Sequence, residues 1–443
     1  WLSQTAGWTS GCGNRSLLRG QADWLARESR RAETDAGVGQ DHRAVVDRPA
    51  HSAAQLRDNE GVSGMSTFVV VPIVAAVLIA AGFFGWRLLR THFVNRYHRE
   101  TCEPVDLRPE LQDGYPEAFH LDDVPWIATR EWTCSANSLA MIAGQHGIDA
   151  TVDHCSFLMG FTYSASAVPG SDTVHFYGDP EAGLKAAAPY LGLERRYYTT
   201  DDEAVYLKAL RRYLSRGYPL RLGLDLGILY NQQDASPHSE VLVGYDEGGF
   251  WYYETVCLPA APCQPGERPP GEKGLWVSER TLLAAVRSHG QLLSHPWEYS
   301  LTVLEEIPQL EDLGAVWARN GQLLLGGARY GPRQGVDAIE ELASAVERSG
   351  ARLNPSDICS ALGAAVCTRR ANAAYLRKAY PSRSEVQHAA GEFETAAGQY
   401  SSALDALSAG IRDRKQAEKV AEMLRRAVTA ERTAGELFLR LGG

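Results

Sequence analysis

The chain has 443 residues, of which 44% are hydrophobic and 22% charged, with a formal net charge of −10. That length suits two or three domains with sizeable cores, and the acidic balance excludes nucleic acid as a general partner, because phosphate binding needs clustered Lys and Arg. Neither paired C-x-x-C motifs nor an H-E-x-x-H occurs, so the sequence supports no metal site and implies no cofactor.

Residues 1–64 lack hydrophobic periodicity, and the first methionine is Met65. The segment reads as a disordered or non-native extension. From Phe68 to Trp86 the sequence carries no charge, a length close to the ~20 apolar residues that cross a bilayer core. Pro72 falls in the first turn, where it is tolerated. A transmembrane anchor is therefore expected over 66–90, with the membrane as a partner through that one helix. Arg87, Arg90, Arg96 and Arg99 follow the span and only Arg57 closely precedes it. The positive-inside rule then predicts a single-pass membrane protein whose larger part is cytoplasmic, in keeping with eight scattered cysteines. Cys257 and Cys263 flank a Pro-rich loop and are the pair able to close a small disulfide in an oxidising compartment.

Residues 100–123 are polar and Pro-containing, as a linker would be. A domain is expected over 124–308. It has a helix from Cys134, two helical segments between Asp179 and Arg216, and strands at Leu220–Leu224, Glu240–Tyr245, Phe250–Tyr253 and Trp297–Glu305. Asp246–Gly249 reads as a hairpin turn. Helix first and antiparallel strands after predicts an α+β fold. Beyond Pro308 the pattern turns helical, with helices expected at Val336–Arg348, Ser356–Tyr380, Glu385–Leu407 and Arg414–Leu441, forming a helical domain over 309–443.

Two segments carry chemistry, E-W-T-C-S-A-N-S-L-A-M-I-A-G at 131–144 and H-S-E-V-L-V-G-Y-D-E-G-G-F-W-Y-Y-E at 238–254. A thiol needs a nearby base to ionise at neutral pH, and the positive end of a helix helps. Cys134 at a predicted helix start meets the second condition, and His238 opening a strand is the base that the fold must deliver. Glu254, sixteen residues after His238 and across the hairpin, is the candidate that orients the ring. Singly, each of the three reads as structure; together they form a nucleophile, a base and an orienting acid.

With these motifs, residues 124–305 resemble the papain-like bacteriocin-processing double-glycine peptidases and, more closely, the butirosin biosynthesis protein H family. The likeness rests on C-S-A-N-S-L-A-M-I-A-G-Q-H-G from Cys134, F-L-M-G-F-T-Y from Phe157, Y-P-L-R-L-G-L-D-L-G-I-L-Y from Tyr218 and H-S-E-V-L-V-G-Y-D from His238. It extends into R-R-A-N-A-A-Y-L-R-K-A-Y of the C-terminal helices. The resemblance implies a papain-like fold and cysteine-dependent acyl transfer, from a carrier-protein thioester or, as a peptidase, from a peptide. A peptide or acyl carrier would be the substrate. Two positions depart from the peptidases: Ala128 stands where they have the Gln that helps bind the oxyanion, and Glu254 where they have Asp. Thr129 and Thr133 are the hydroxyls near enough to substitute for that Gln. Asp225, matched in the butirosin-type proteins, either supports the site or caps a turn. The alternative to an enzyme is an inactive papain-like module that binds a peptide or carrier protein.

Overall fold

The computed structural model describes residues 91–107, 114–127, 133–167, 174–232, 235–255, 273–326, 333–350 and 355–443. The chain divides into two compact units. In one of them the described residues 91–100 are helical, with Arg96 Nε donating to Glu100 Oε1 at 2.7 Å. The other contains the described residues from Thr101 onward and carries everything below.

The expected membrane localisation is the first to be corrected: no helix among the described residues is long and apolar enough to cross a membrane. The extension 1–64, the anchor expected over 66–90, the Cys257–Cys263 pair, and Ala128 and Thr129 all lie outside the described residues.

The main sheet runs in the order β1 (Val105–Asp106), β5 (Leu193–Thr200), β10 (Tyr299–Glu306), β6 (Leu220–Asp225), β7 (Pro237–Tyr245), β8 (Gly249–Tyr253) and β9 (Leu275–Ser278). β2 (Phe119–His120) pairs with β7, and β3 (Ser166–Ala167) and β4 (Val174–His175) pair antiparallel as a separate two-stranded sheet. β6 lies at the centre, and all six of its residues are buried, as expected for a strand covered on both faces. Gly223 is required there, since a Cβ would come within 2.2 Å of the His289 ring. β5 alternates inward Leu193, Tyr197 and Thr199 with more exposed partners, and pairs antiparallel with all of β10.

The α+β expectation, helix first and an antiparallel sheet after, is also corrected. The sheet is mixed, because β1 runs parallel to β5, and helices interleave with the strands. A helix at Glu203–Ser215 separates β5 from β6, and another at Glu279–Leu292 separates β9 from β10. The architecture is mixed α/β with a helical C-terminal part. A two-residue parallel strand has too few residues for any periodicity to register.

The helix that begins at Cys134, here α1 (Cys134–Gln145), is buried from Ser135 through Ala143. Its small first-turn residues Ser135, Ala136 and Asn137 let the helix lie close to β7. α2 (Val152–Met159) ends in Gly160 with φ 65°, the left-handed cap that glycine supplies at least strain. α3 (Pro180–Ala187) starts with Asp179 capping the N–H groups of Glu181 and Ala182.

The C-terminal helices lie at Gly314–Leu325, Gly335–Ser349, Pro355–Ala379, Ser384–Ser408 and Arg414–Leu441. They close on one another through alanines at helical spacing, among them Ala389, Ala390, Ala396, Ala397 and Ala403, around Phe393 and Tyr400. They share a core with the sheet side of the protein. The Phe157 ring of α2 lies 4.7 Å from Trp317 and 5.4 Å from Tyr375. Asn320 Nδ2 and Arg319 Nη2 donate to the carbonyls of Phe157 and Leu158. Arg369 pairs with Glu431 through two bonds of 2.7 and 2.9 Å, both side chains fully buried, and donates to Thr162 O at 2.6 Å.

Candidate active site

Cys134 is the first residue of α1, preceded by Thr133 at the cap position. The Thr133 hydroxyl donates to Asn137 Oδ1 at 3.0 Å instead of capping a backbone N–H. The first backbone N–H groups of the helix have no acceptor within the helix, so Cys134 stands where partial positive charge collects. The thiol is half-buried and free.

His238 enters at the second residue of β7, opposite Leu224 of β6. Its ring sits against the Cys134 thiol, close enough for each group to shift the ionisation of the other. Nε2 lies 3.0 Å from Glu254 Oε1, which leaves Nδ1 as the nitrogen for the sulfur. The structure therefore brings Cys134, His238 and Glu254 into one chain of contacts. Burial opposes ionisation of the thiol, but the His238 charge and hydrogen bond, helped by Arg221 and Ser135, hold it below its ordinary value. Burial likewise opposes a charge on His238, yet Cys134, Glu254 and Glu240 raise it well above the usual imidazole range. Thiolate and imidazolium each make the other favourable.

Glu254 follows the last residue of β8 and is 1% exposed. Oε1 accepts from His238 Nε2, and Oε2 accepts from the Tyr230 hydroxyl. Burial pushes the Tyr230 phenol far up, reinforced by Glu254 itself, so Tyr230 remains a donor. Tyr252 in turn donates to Tyr230 Oη at 3.3 Å. Trp126 Nε1 holds the Glu254 carbonyl at 3.0 Å. Burial disfavours the Glu254 charge, but these donors, His238 first, keep its carboxyl below the ordinary range.

How Glu254 reaches His238 differs from what hairpin counting alone gives. Tyr245 pairs with Phe250 and Gly244 with Trp251. In an unbroken ladder that register would place Glu254 opposite Val241, on the face away from His238. A bulge between Leu242 and Gly244 shifts the register, so that Leu242 pairs with Tyr252 and Val241 with Tyr253. Glu254 then falls opposite Glu240, two residues from His238 on the same face. The Val243 carbonyl, displaced at the bulge, accepts from Leu121 N at 2.8 Å.

Glu240 is the site residue that sequence reasoning missed. Its signal was present, because two residues after His238 on a strand is the same face. The side chain is fully buried, with Oε2 accepting from Thr255 N at 3.1 Å and Oε1 lying 3.4 Å from His238 Nε2. As a bare carboxylate its Oε1 has no donor. Burial and the neighbouring Glu254 charge raise its carboxyl well above the usual range, so it favours the protonated form beside Glu254. Tyr230 closes the Y-P-L-R-L-G-L-D-L-G-I-L-Y motif, but nothing in its spacing marks it as a site residue. Thr255 also joins the site, its hydroxyl 3.2 Å from His238 Nε2 and 2.6 Å from Ser239 O.

Asp225 is placed apart from this group. Its carboxylate accepts from the N–H groups of Gly227 and Ser236 and from the Ser288 hydroxyl at 2.6 Å, capping the short helix Leu226–Leu229. His238, Glu240 and Glu254 offer ligand-type atoms within 4.8 Å of one another, the one such grouping among the described residues. No protein-family model matches the chain and no curated protein matches it.

Proposed function

We propose that this chain is a cysteine-dependent acyl-transfer enzyme working through an acyl-enzyme on Cys134. The observation that carries the proposal is the paired Cys134 and His238, whose ring is held from its far side by the buried Glu254. In the first half-reaction the Cys134 sulfur attacks an acyl carbon, and His238 passes its proton to the leaving group as that bond breaks. In the second, an amine or water attacks the acyl-enzyme, His238 takes a proton from it, and the Cys134 thiolate departs. The likeness of the two motifs to the butirosin biosynthesis protein H family favours a thioester as acyl donor. A thioester is an easier electrophile than an amide, so it makes the smaller demand on oxyanion stabilisation.

The test is acyl-adduct formation. Incubation with a small acyl-pantetheine thioester should add the acyl mass at Cys134, found by peptide mapping. Neither Cys134→Ala nor His238→Ala should give that adduct. A wild-type protein that forms no adduct, and whose Cys134 alkylates no faster than in His238→Ala, would instead be a binding module.

A further inference from the structure

Behind the nucleophile lies a second buried layer of charge that acyl transfer as described above does not use. Glu181 of α3 accepts from Arg195 Nη1 at 3.0 Å and from Arg221 Nη1 of β6. The three side chains are 7%, 2% and 3% exposed, in that order. One carboxylate against two guanidiniums leaves a net positive charge inside the protein, and an uncompensated buried charge is strongly unfavourable. Cys134, His238 and Glu254 in their ionised forms carry the opposite imbalance, one net negative charge. The two groups are physically joined. Arg221 Nε donates to Ser239 Oγ at 2.8 Å, Ser239 and Ser138 hydroxyls meet at 2.9 Å, and Ser138 donates to the Cys134 carbonyl at 3.0 Å. Arg221 and Ser138 each have one possible direction here, so the Ser239 proton must point to Ser138 and all three bonds run toward Cys134.

The buried titratable neighbours do not cancel this charge, and Asp179, engaged as the cap of α3, adds its negative field from outside the buried group. Burial keeps the Cys102 thiol and the Tyr197 phenol protonated, with Glu181 adding to both effects and Asp179 to the first. Burial keeps His289 neutral, and His295 and Arg221 push the same way. Glu240 favours its protonated form.

We propose that Arg221 is a positioning residue for the nucleophile, its guanidinium supplying the countercharge of the Cys134 thiolate while the Ser239–Ser138 relay fixes the first turn of α1. Glu181 sets how much of that charge is felt, and Arg195 secures Glu181 from the far side. This rests on Cys134 being the nucleophile, but its test reads the thiol alone and needs no substrate. The pH dependence of Cys134 alkylation by iodoacetamide is measured in intact protein by peptide mapping, with circular dichroism as a check on folding.

Arg221→Gln should move the alkylation midpoint up by roughly one pH unit, a tenfold loss of thiolate near its foot. Glu181→Gln, which removes the opposing charge, should move the midpoint down. Mere loosening of the fold would move both variants the same way. Equal shifts of one sign, or no shift in either, would overturn the proposal. Should Arg221→Gln fail to fold, Glu181→Gln decides alone, and a midpoint that does not fall refutes the role. Absence of an acyl adduct in the wild type would leave these midpoints measurable, so the two proposals fail separately.

Discussion

Glu240 and Glu254 are the same carboxyl in one buried cluster, yet the fold shifts their ionisation in opposite directions. Glu254 receives two side-chain donors, His238 and Tyr230, while Glu240 has one backbone donor from Thr255. Two adjacent buried carboxyls cannot both ionise cheaply, so the better-served one takes the charge. Glu240→Gln keeps a neutral donor facing Glu254 and should leave the adduct rate at Cys134 within a few-fold. Glu254→Gln removes the anion behind the imidazolium and should slow it by on the order of 10²-fold or more. The pH dependence follows from the directions of the shifts. His238 is raised on folding, so its contribution to stability is complete below the unfolded imidazole value of about 6.5 and is lost as pH rises through the folded value. Glu254 is lowered, so its contribution is present above about 4.3 and is lost as pH falls through its folded value. Denaturation at graded pH should show a His238→Ala variant losing least relative to wild type at the alkaline end.

Among the elements, the nucleophile helix, the His238 strand, the hairpin and the long C-terminal helices were legible, because each spans enough residues for its period to register. β5 was not legible. Glu194, Arg195 and Arg196 follow its first residue, and such residues favour helices by propensity. In the structure Arg195 turns inward to Glu181 and to the Cys102 carbonyl at 2.6 Å, a tertiary reward that no local pattern carries. Glu240 was legible in principle, whereas Tyr230 and Arg221 lie in the motif from Tyr218 but have no spacing that assigns them a role. The Arg369–Glu431 pair between the helices Pro355–Ala379 and Arg414–Leu441 is equally silent in sequence. Since Arg369 also holds Thr162 O, Glu431→Ala leaves a guanidinium buried without its anion and should cost about 3–5 kcal/mol. Pairing it with Arg369→Met should return most of that loss, as read by urea unfolding.

For the molecule as a whole, the shared core matters more than the change of sequence pattern near Pro308. Phe157, Leu158 and Thr162, from the side of the nucleophile, take their ring or hydrogen-bond partners from Trp317, Arg319, Asn320, Arg369 and Tyr375. A chain ended at Pro308 should therefore expose that face, bind a hydrophobic dye and lose a cooperative unfolding transition, whereas separable domains would leave 101–308 folded. The hairpin bulge constrains the molecule in another way. It acts as a parity correction in the length of the chain, because one extra residue in β7 turns Glu254 from the outside of the sheet to the side of His238. Within the paired strands, lineages that preserve this chemistry can add or remove a single residue only with a compensating bulge, whereas the turn between Tyr245 and Phe250 can change length without turning either side chain over. A single-residue insertion in the paired part of either strand would disable the site while leaving each of its residues in the sequence.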